Sequence, residues 1–193
     1  MKKLTRDDLY SLEAYARERL AFRTRVLEHK RPRSVAVGPN VTLVFEDRLT
    51  IQYQIQEMLR VERVFEAAGI QDELDAYNPL IPDGRNLKAT MLIEFPDAEE
   101  RVRKLQQLQG IEHHVALRVG DAPAAKAIAD EDMERSNDNK TSAVHFLRFE
   151  LDAGAIAEFR RAGSAEIIID HAAYRFTAVI DGATRSALAA DFD

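Results

Sequence analysis

An α+β fold is the class this sequence predicts: helices gathered in residues 1–70, packed on a largely antiparallel sheet drawn from residues 87–180. Three observations lead there. Apolar residues recur at helical spacing through the first part, and from residue 87 onward they alternate with polar ones in short runs. The links between those runs are of hairpin length, which suits antiparallel pairing. With 193 residues, 46% hydrophobic and 31% charged, the chain is expected to form one domain over 1–193 with a proper core.

Thr5, followed by Asp7 and Asp8, reads as a helix start, a hydroxyl cap with acids in the first turn. Leu9, Leu12, Tyr15 and Ala16 recur at helical spacing, and Phe22, Val26 and Leu27 continue the pattern until Pro32. Residues 34–37 suit a short strand or an extended connector before Gly38-Pro39. Residues 41–68 then read as one long central helix capped by Asn40. Val41, Val44, Phe45, Ile55 and Leu59 fall on one side of it, and Leu43, Tyr53, Val61 and Val64 nearly opposite. A helix apolar all round is normally enclosed by protein. Val41 to Phe45 taken alone, rich in β-branched residues, suits a strand instead. The unbroken helical period into Ile55 and Leu59 favours the helix, with Gly69 as its stop.

Residues 71–85 carry the turn signals Asn78-Pro79, Ile81-Pro82 and Asp83-Gly84. Residues 87–95 alternate as a strand, and 97–108 form an amphipathic helix between Pro96 and Gly110. Residues 115–119 and 125–129 pair as a hairpin across Gly120-Asp121. Residues 143–151 are the clearest strand, 152–161 a short helix ending at Gly163, and 165–169 with 174–180 a last pair of strands around a tight turn. Residues 183–193 read as a weak helix or a disordered tail.

Charge is uneven. Residues 1–33 hold ten Lys or Arg against five Asp or Glu, a net +5, so the remainder of a chain of net charge −6 carries −11. Arg17, Arg19, Arg23, Arg25, Lys30, Arg31 and Arg33 are read first as a solvated face that pairs with the acidic body. An acidic partner is the sharper reading. Without aromatic interleaving or a recognised motif, no nucleic acid is expected. The absence of Cys excludes thiolate metal sites, disulfides and thiol nucleophiles. No run of 18 apolar residues and no signal pattern occurs, so no membrane partner and a cytoplasmic location are expected.

The motifs the chain lacks say more than those it has. The eight glycines at 38, 69, 84, 110, 120, 154, 163 and 182 are too dispersed for a dinucleotide or phosphate loop. There is no Gly-x-Ser-x-Gly elbow, no Glu-x-x-His pair and no His-Glu-x-x-His. On spacing alone, no cofactor and no metal site is expected.

Four groups stand out nonetheless. Glu46, Thr50, Tyr53, Glu57 and Arg60 form a polar stripe in which Glu57 and Arg60, three apart, can pair; a structural ion pair is the commoner role. His145 shares an apolar strand face with Ala143, Leu147, Phe149 and Leu151. A hydrogen-bonded core histidine is the commoner reading, and a base or ligand meeting Glu57 the sharper one. The polar run 130–141 lacks calcium-loop spacing, though Lys140 and Thr141 are placed to face a pocket. In the loop 75–83, Asp75, Asn78 and Asp83 either line a pocket mouth or turn the backbone. Asp170-His171 is a weaker candidate of that kind.

The segments FEDRLTIQYQIQEMLRVERVFEAAGIQDELDAYNPLIP (45–82) and NDNKTSAVHFLRFEL (137–151), with the start LTRDDLYSLEAYARERLAFRTRV, resemble an uncharacterised bacterial family catalogued as domain of unknown function family 3501. The resemblance carries no mechanism, so no catalytic residue transfers. It implies a setting beside rubrerythrin-like and iron–sulfur oxidoreductase proteins, hence an accessory role in peroxide or redox metabolism. Two functions follow as expectations. The first is a homodimeric accessory protein docking on an oxidoreductase through the basic helices or the acidic 130–134 loop. The second is an enzyme or metal-binding protein with a polar pocket between long helix and sheet. There Glu57 and His145 would be base or ligands, Arg60 and Lys140 would hold an anionic substrate, and Asn78 and Asp83 would stand at the mouth.

Overall fold

Two antiparallel sheets face each other across one apolar core in the computed structural model, which describes residues 1–131, 135–136, 140–161 and 163–192. The first sheet holds β1 (Ser34–Val37), β2 (Val41–Phe45), β3 (Asn86–Ile93), β7 (Val144–Glu150) and β6 (Ile128–Ala129), in that order. The second runs β5 (Ala125–Lys126), β4 (Val115–Val119), β8 (Ala165–His171), β9 (Tyr174–Val179). Segment 125–129 crosses between them: Lys126 pairs with Ala116 in one sheet and Ile128 with Arg148 in the other. At the far side the Tyr174 hydroxyl donates to the Val37 carbonyl at 2.7 Å and accepts from the Asn40 amide at 3.0 Å. The result is a flattened barrel, nearly closed.

Alternation fills its interior. Leu87, Ala89, Met91 and Ile93 point inward from β3, His145, Leu147 and Phe149 from β7, and Ile167 and Ile169 from β8, all buried. Each large apolar side chain so enclosed contributes on the order of 1.5–3 kcal/mol. Helices α4 (Ala98–Gln107), α5 (Ala153–Arg160) and α6 (Gly182–Ala189) add Leu105, Phe159 and Leu188 to the same core. A separate helical layer holds α1 (Leu12–Lys30), α2 (Arg48–Glu62) and α3 (Ala67–Tyr77). It has its own small cores, Ile51, Ile55, Leu59 and Leu74 in one and Tyr15, Phe22 and Val26 in the other. No helix among the described residues is long and apolar enough to cross a membrane.

The α+β class and the antiparallel sheet stand as the sequence predicts; the long helix does not lie where it was expected. The longest helix in the N-terminal part is α1, while residues 41–68 divide into β2, α2 and the start of α3. Val41, Leu43 and Phe45 alternate inward because β3 offers a complete ladder from Val41↔Ile93 to Phe45↔Ala89. Asp47 then starts a new helix: its side chain accepts from the Leu49 and Thr50 amides, and the Thr50 side chain accepts from the Asp47 amide. Arg63, left-handed at φ 56°, ends α2, and the expected stop Gly69 lies inside α3. Of the C-terminal tail, residues 183–192 are helical and docked, with Leu188 and Phe192 in the barrel core.

Candidate metal centre

Gly110, at φ +76°, allows the chain to leave α4 into a tight turn over Ile111–His114. That turn sends Ile111 and Glu112 inward and His113 outward. Glu112 is 0% exposed, a carboxylate wholly inside the protein, whereas the His113 side chain is 60% exposed. Asp130 follows β6 in the left-handed region at φ 58°, which Asp tolerates better than most residues. Beneath lies His145 on the inner face of β7, 0% exposed.

The Glu112 carboxylate accepts hydrogen bonds from the hydroxyls of Ser136 and of Thr141, the latter at 3.3 Å. His113 Nε2 lies 3.9 Å from Glu112 Oε1 and 3.5 Å from Asp130 Oδ2. The donor atoms of Glu112, His113 and Asp130 fall within 4.8 Å of one another. His145 Nε2 stands 3.8 Å from Glu112 Oε2, 2.8 Å from Thr141 Oγ1 and 3.0 Å from the Ser142 carbonyl. A carbonyl only accepts, so the network assigns the ring proton to Nε2 and leaves Nδ1 with its lone pair. That Nδ1 and Asp130 Oδ1 are both buried without a hydrogen-bond partner among the described residues.

Burial pushes the His145 pKa down, outweighing the pull of the Glu112 carboxylate, so the ring is neutral near pH 7. The Ser136 and Thr141 hydroxyls bring hydrogen bonds to Glu112 and no charge. An enclosed carboxylate is costly unless hydrogen bonds or a cation answer it, and the described partners of Glu112 supply the hydrogen bonds. Tetrahedral bonds of about 2.0–2.2 Å separate donors by roughly 3.3–3.6 Å, a spacing that the two His113 pairs, at 3.9 and 3.5 Å, already approach. His113 gives the cluster a side open to solvent.

The other residues singled out in the sequence sit elsewhere. Glu57, 16% exposed, accepts from Tyr15 Oη at 2.7 Å, from Arg19 Nε and Nη2 at 2.8 Å each, and from Arg60 at 3.2 Å. These bonds, Arg19's foremost, hold its carboxyl down at about 2. Glu57 and Arg60 therefore join α1 to α2, and the partners of His145 are Thr141, Ser142 and Glu112; the expected meeting of Glu57 with His145 is not among the contacts. Glu46 is buried and accepts from Thr90 at 2.7 Å. Asn78 exchanges two hydrogen bonds with the Leu4 backbone, and Asp83 accepts from the Arg85 amide, so both shape their loop. His171 likewise serves its turn, accepting from the Ala173 amide and bonding the Gln109 carbonyl. Lys140 and Thr141 line a shallow cavity of about 470 Å³ with Arg101, Leu105 and Ser142.

Of the polar run, Asp130, Ser136 and Thr141 join the centre, while Asp132, Glu134 and 137–139 lie outside the described residues. Glu112 and His113 escaped motif spacing because their partners are far along the chain. The available signal was a Glu-His pair directly after a glycine turn, between apolar Ile111 and Val115.

No curated protein matches the chain. A crystal structure from Burkholderia pseudomallei K96243, described as a novel protein of unknown function, is similar over 100% of both chains, at 49% identity and a TM-score of 0.95. The family model described as Protein of unknown function (DUF3501) matches residues 3–192, and the chain belongs to that family.

Proposed function

We propose that this protein binds a divalent transition-metal ion through Glu112, His113 and Asp130, with His145 and the hydroxyls of Thr141 and Ser136 supporting Glu112 from within. One observation carries the reading: a carboxylate with no exposure faces two imidazoles and a second carboxylate, one of whose oxygens is buried without a partner among the described residues. Mixed imidazole and carboxylate donors suit zinc, manganese or iron, and calcium, which takes six to eight oxygens, is disfavoured. The side left open by His113 suits an ion that exchanges or meets a small molecule, as catalytic sites do. The oxidoreductase setting that the sequence resemblance implies is the context in which we place such a centre. Arg17, Arg23 and Arg25, exposed on α1, support a docking face there.

The test uses the full chain, freed of metal by chelation and titrated with Zn²⁺, Mn²⁺, Fe²⁺ and Co²⁺. One ion per chain is expected, with cobalt giving a visible ligand-field spectrum. His113→Ala, at an exposed position, should weaken binding by at least about tenfold, as should Asp130→Asn. Substoichiometric binding, or affinity unchanged in both variants with circular dichroism intact, would overturn the reading.

A further inference from the structure

A second concavity lies on the other face of the first sheet. Strand alternation that turns His145 and Phe149 into the barrel turns Phe146 and Arg148 out of it, beneath the ends of α2 and α3. The space is about 520 Å³, the size of a small-molecule site. Phe146, Lys88 and Arg148 form its floor, and Met58, Glu62, Glu73 and Tyr77 its helical wall.

The charges on the two sides are not equivalent. Arg148 holds Glu131 in a two-pronged pair at 2.8 and 2.7 Å and also reaches Glu150. Arg135 lies over the Phe146 ring at 4.5 Å, and the Lys88 ammonium donates to the Pro79 carbonyl. The cations of the floor are thus already engaged. On the wall, the side chains of Glu62 and Glu73 have neither an ion pair nor a hydrogen bond among the described residues. They also repel each other: burial first, then the charges of Glu62 and Asp72, push the Glu73 carboxyl up. A positive group between these two acids relieves both, and the aromatic faces of Tyr77 and Phe146 favour a cation or a flat apolar body beside them.

We infer that this pocket binds a small organic cation, an ammonium or guanidinium carried on an apolar or aromatic body. The positive group sits between Glu62 and Glu73, and the body lies against Met58, Tyr77 and Phe146. The engaged state of Arg148 and Lys88 disfavours a carboxylate or phosphate in the same place, since either would have to displace an existing partner. The metal centre takes no part in this recognition, which needs none of its ligands.

Calorimetric titration of the full chain, metal-free, with tyramine and with agmatine tests it. 4-Ethylphenol and 3-(4-hydroxyphenyl)propionate serve as the neutral and anionic counterparts of tyramine. Saturable binding of at least one amine is expected, with both counterparts weaker by at least about tenfold. Glu73→Gln and Glu62→Gln, neither of which removes a structural bond, should each reduce the affinity several-fold and together abolish it. Added salt should weaken binding. The inference fails if neither amine binds below about 10 mM. It fails equally if the propionate binds as well as tyramine, or if the double variant, folded by circular dichroism, keeps the parent affinity. Loss of metal binding in His113→Ala would leave every one of these results unchanged, so the two sites are judged separately.

Discussion

Tyr15 is completely buried, and its hydroxyl needs a partner there; Glu57 supplies it while also taking both bonds from Arg19. A carboxylate with three donors is strongly favoured over its protonated form, hence a pKa of about 2 against an ordinary 4.5. A depressed carboxyl pKa adds stability that is fully present above the ordinary value. That contribution disappears as pH falls towards the depressed one. Glu57→Gln should therefore cost about 1–3 kcal/mol at pH 7 in urea unfolding. It should also flatten the loss of stability between pH 4.5 and 2. An acid limb identical to that of the parent would show that Glu57 does not hold the helices together. The pairing of Glu57 with Arg60 was legible in the sequence, because three residues along a helix place two side chains side by side. Arg19 was not, because it arrives from a different helix. His145 was legible as an inward residue by alternation alone. Its neighbour Glu112 was hidden, since only the path of the turn after Gly110 decides which way that side chain faces.

At the scale of elements, the same limitation explains residues 41–68. Apolar residues at 41, 44, 45, 55 and 59 satisfy a helical period, while those at 41, 43 and 45 satisfy a strand period equally well. The choice between the two belongs to β3, which lies forty-odd residues away and presents the open ladder. The hairpin that introduces β2 depends on Gly38, with φ +73°, where a Cβ would stand 2.6 Å from the Phe176 ring and 2.7 Å from the Tyr174 hydroxyl. Both the backbone angle and the space are thus closed to a side chain. Gly38→Ala should destabilise by about 1–3 kcal/mol and loosen the contact between β1 and β9, read as faster amide exchange at Asn40, whose N–H bonds to Tyr174. Unchanged stability would mean that the seam yields freely. The stretch after β6 shows how neighbouring residues serve different faces: Asp130 joins Glu112 and His113 while Glu131 pairs with Arg148 on the pocket floor.

Over the whole molecule, the start of β1, the start of α2 and the C-terminal turn are fastened by one buried guanidinium. Arg33 is 1% exposed and lies between Asp47, at the start of α2, and Asp191, near the C-terminus, at 3.5 and 2.5 Å. It also donates to the carbonyls of Phe45 and Glu46, so strand, helix and tail meet on a single cation. Asp47 is held below its ordinary range by Arg33, by the Thr50 amide and by His29, against the opposing effect of its burial. Asp191 lies deeper, and burial, opposed by Arg33, raises its carboxyl to about 6. A raised carboxyl pKa gives a contribution that is complete below pH 3.8 and is lost as pH climbs through about 6. At pH 7 Arg33 is consequently what compensates two enclosed negative charges. Arg33→Met removes that compensation and should cost about 3–5 kcal/mol, whereas Asp191→Asn, which keeps an acceptor for the guanidinium, should cost less at pH 7 than at pH 4. Combining the two leaves one uncompensated carboxylate in place of two. The double variant should then be more stable at pH 7 than Arg33→Met alone, a non-additivity that unfolding midpoints of the four proteins would reveal. Strict additivity would mean that Arg33 contributes through packing, with its charge playing no part in joining these elements.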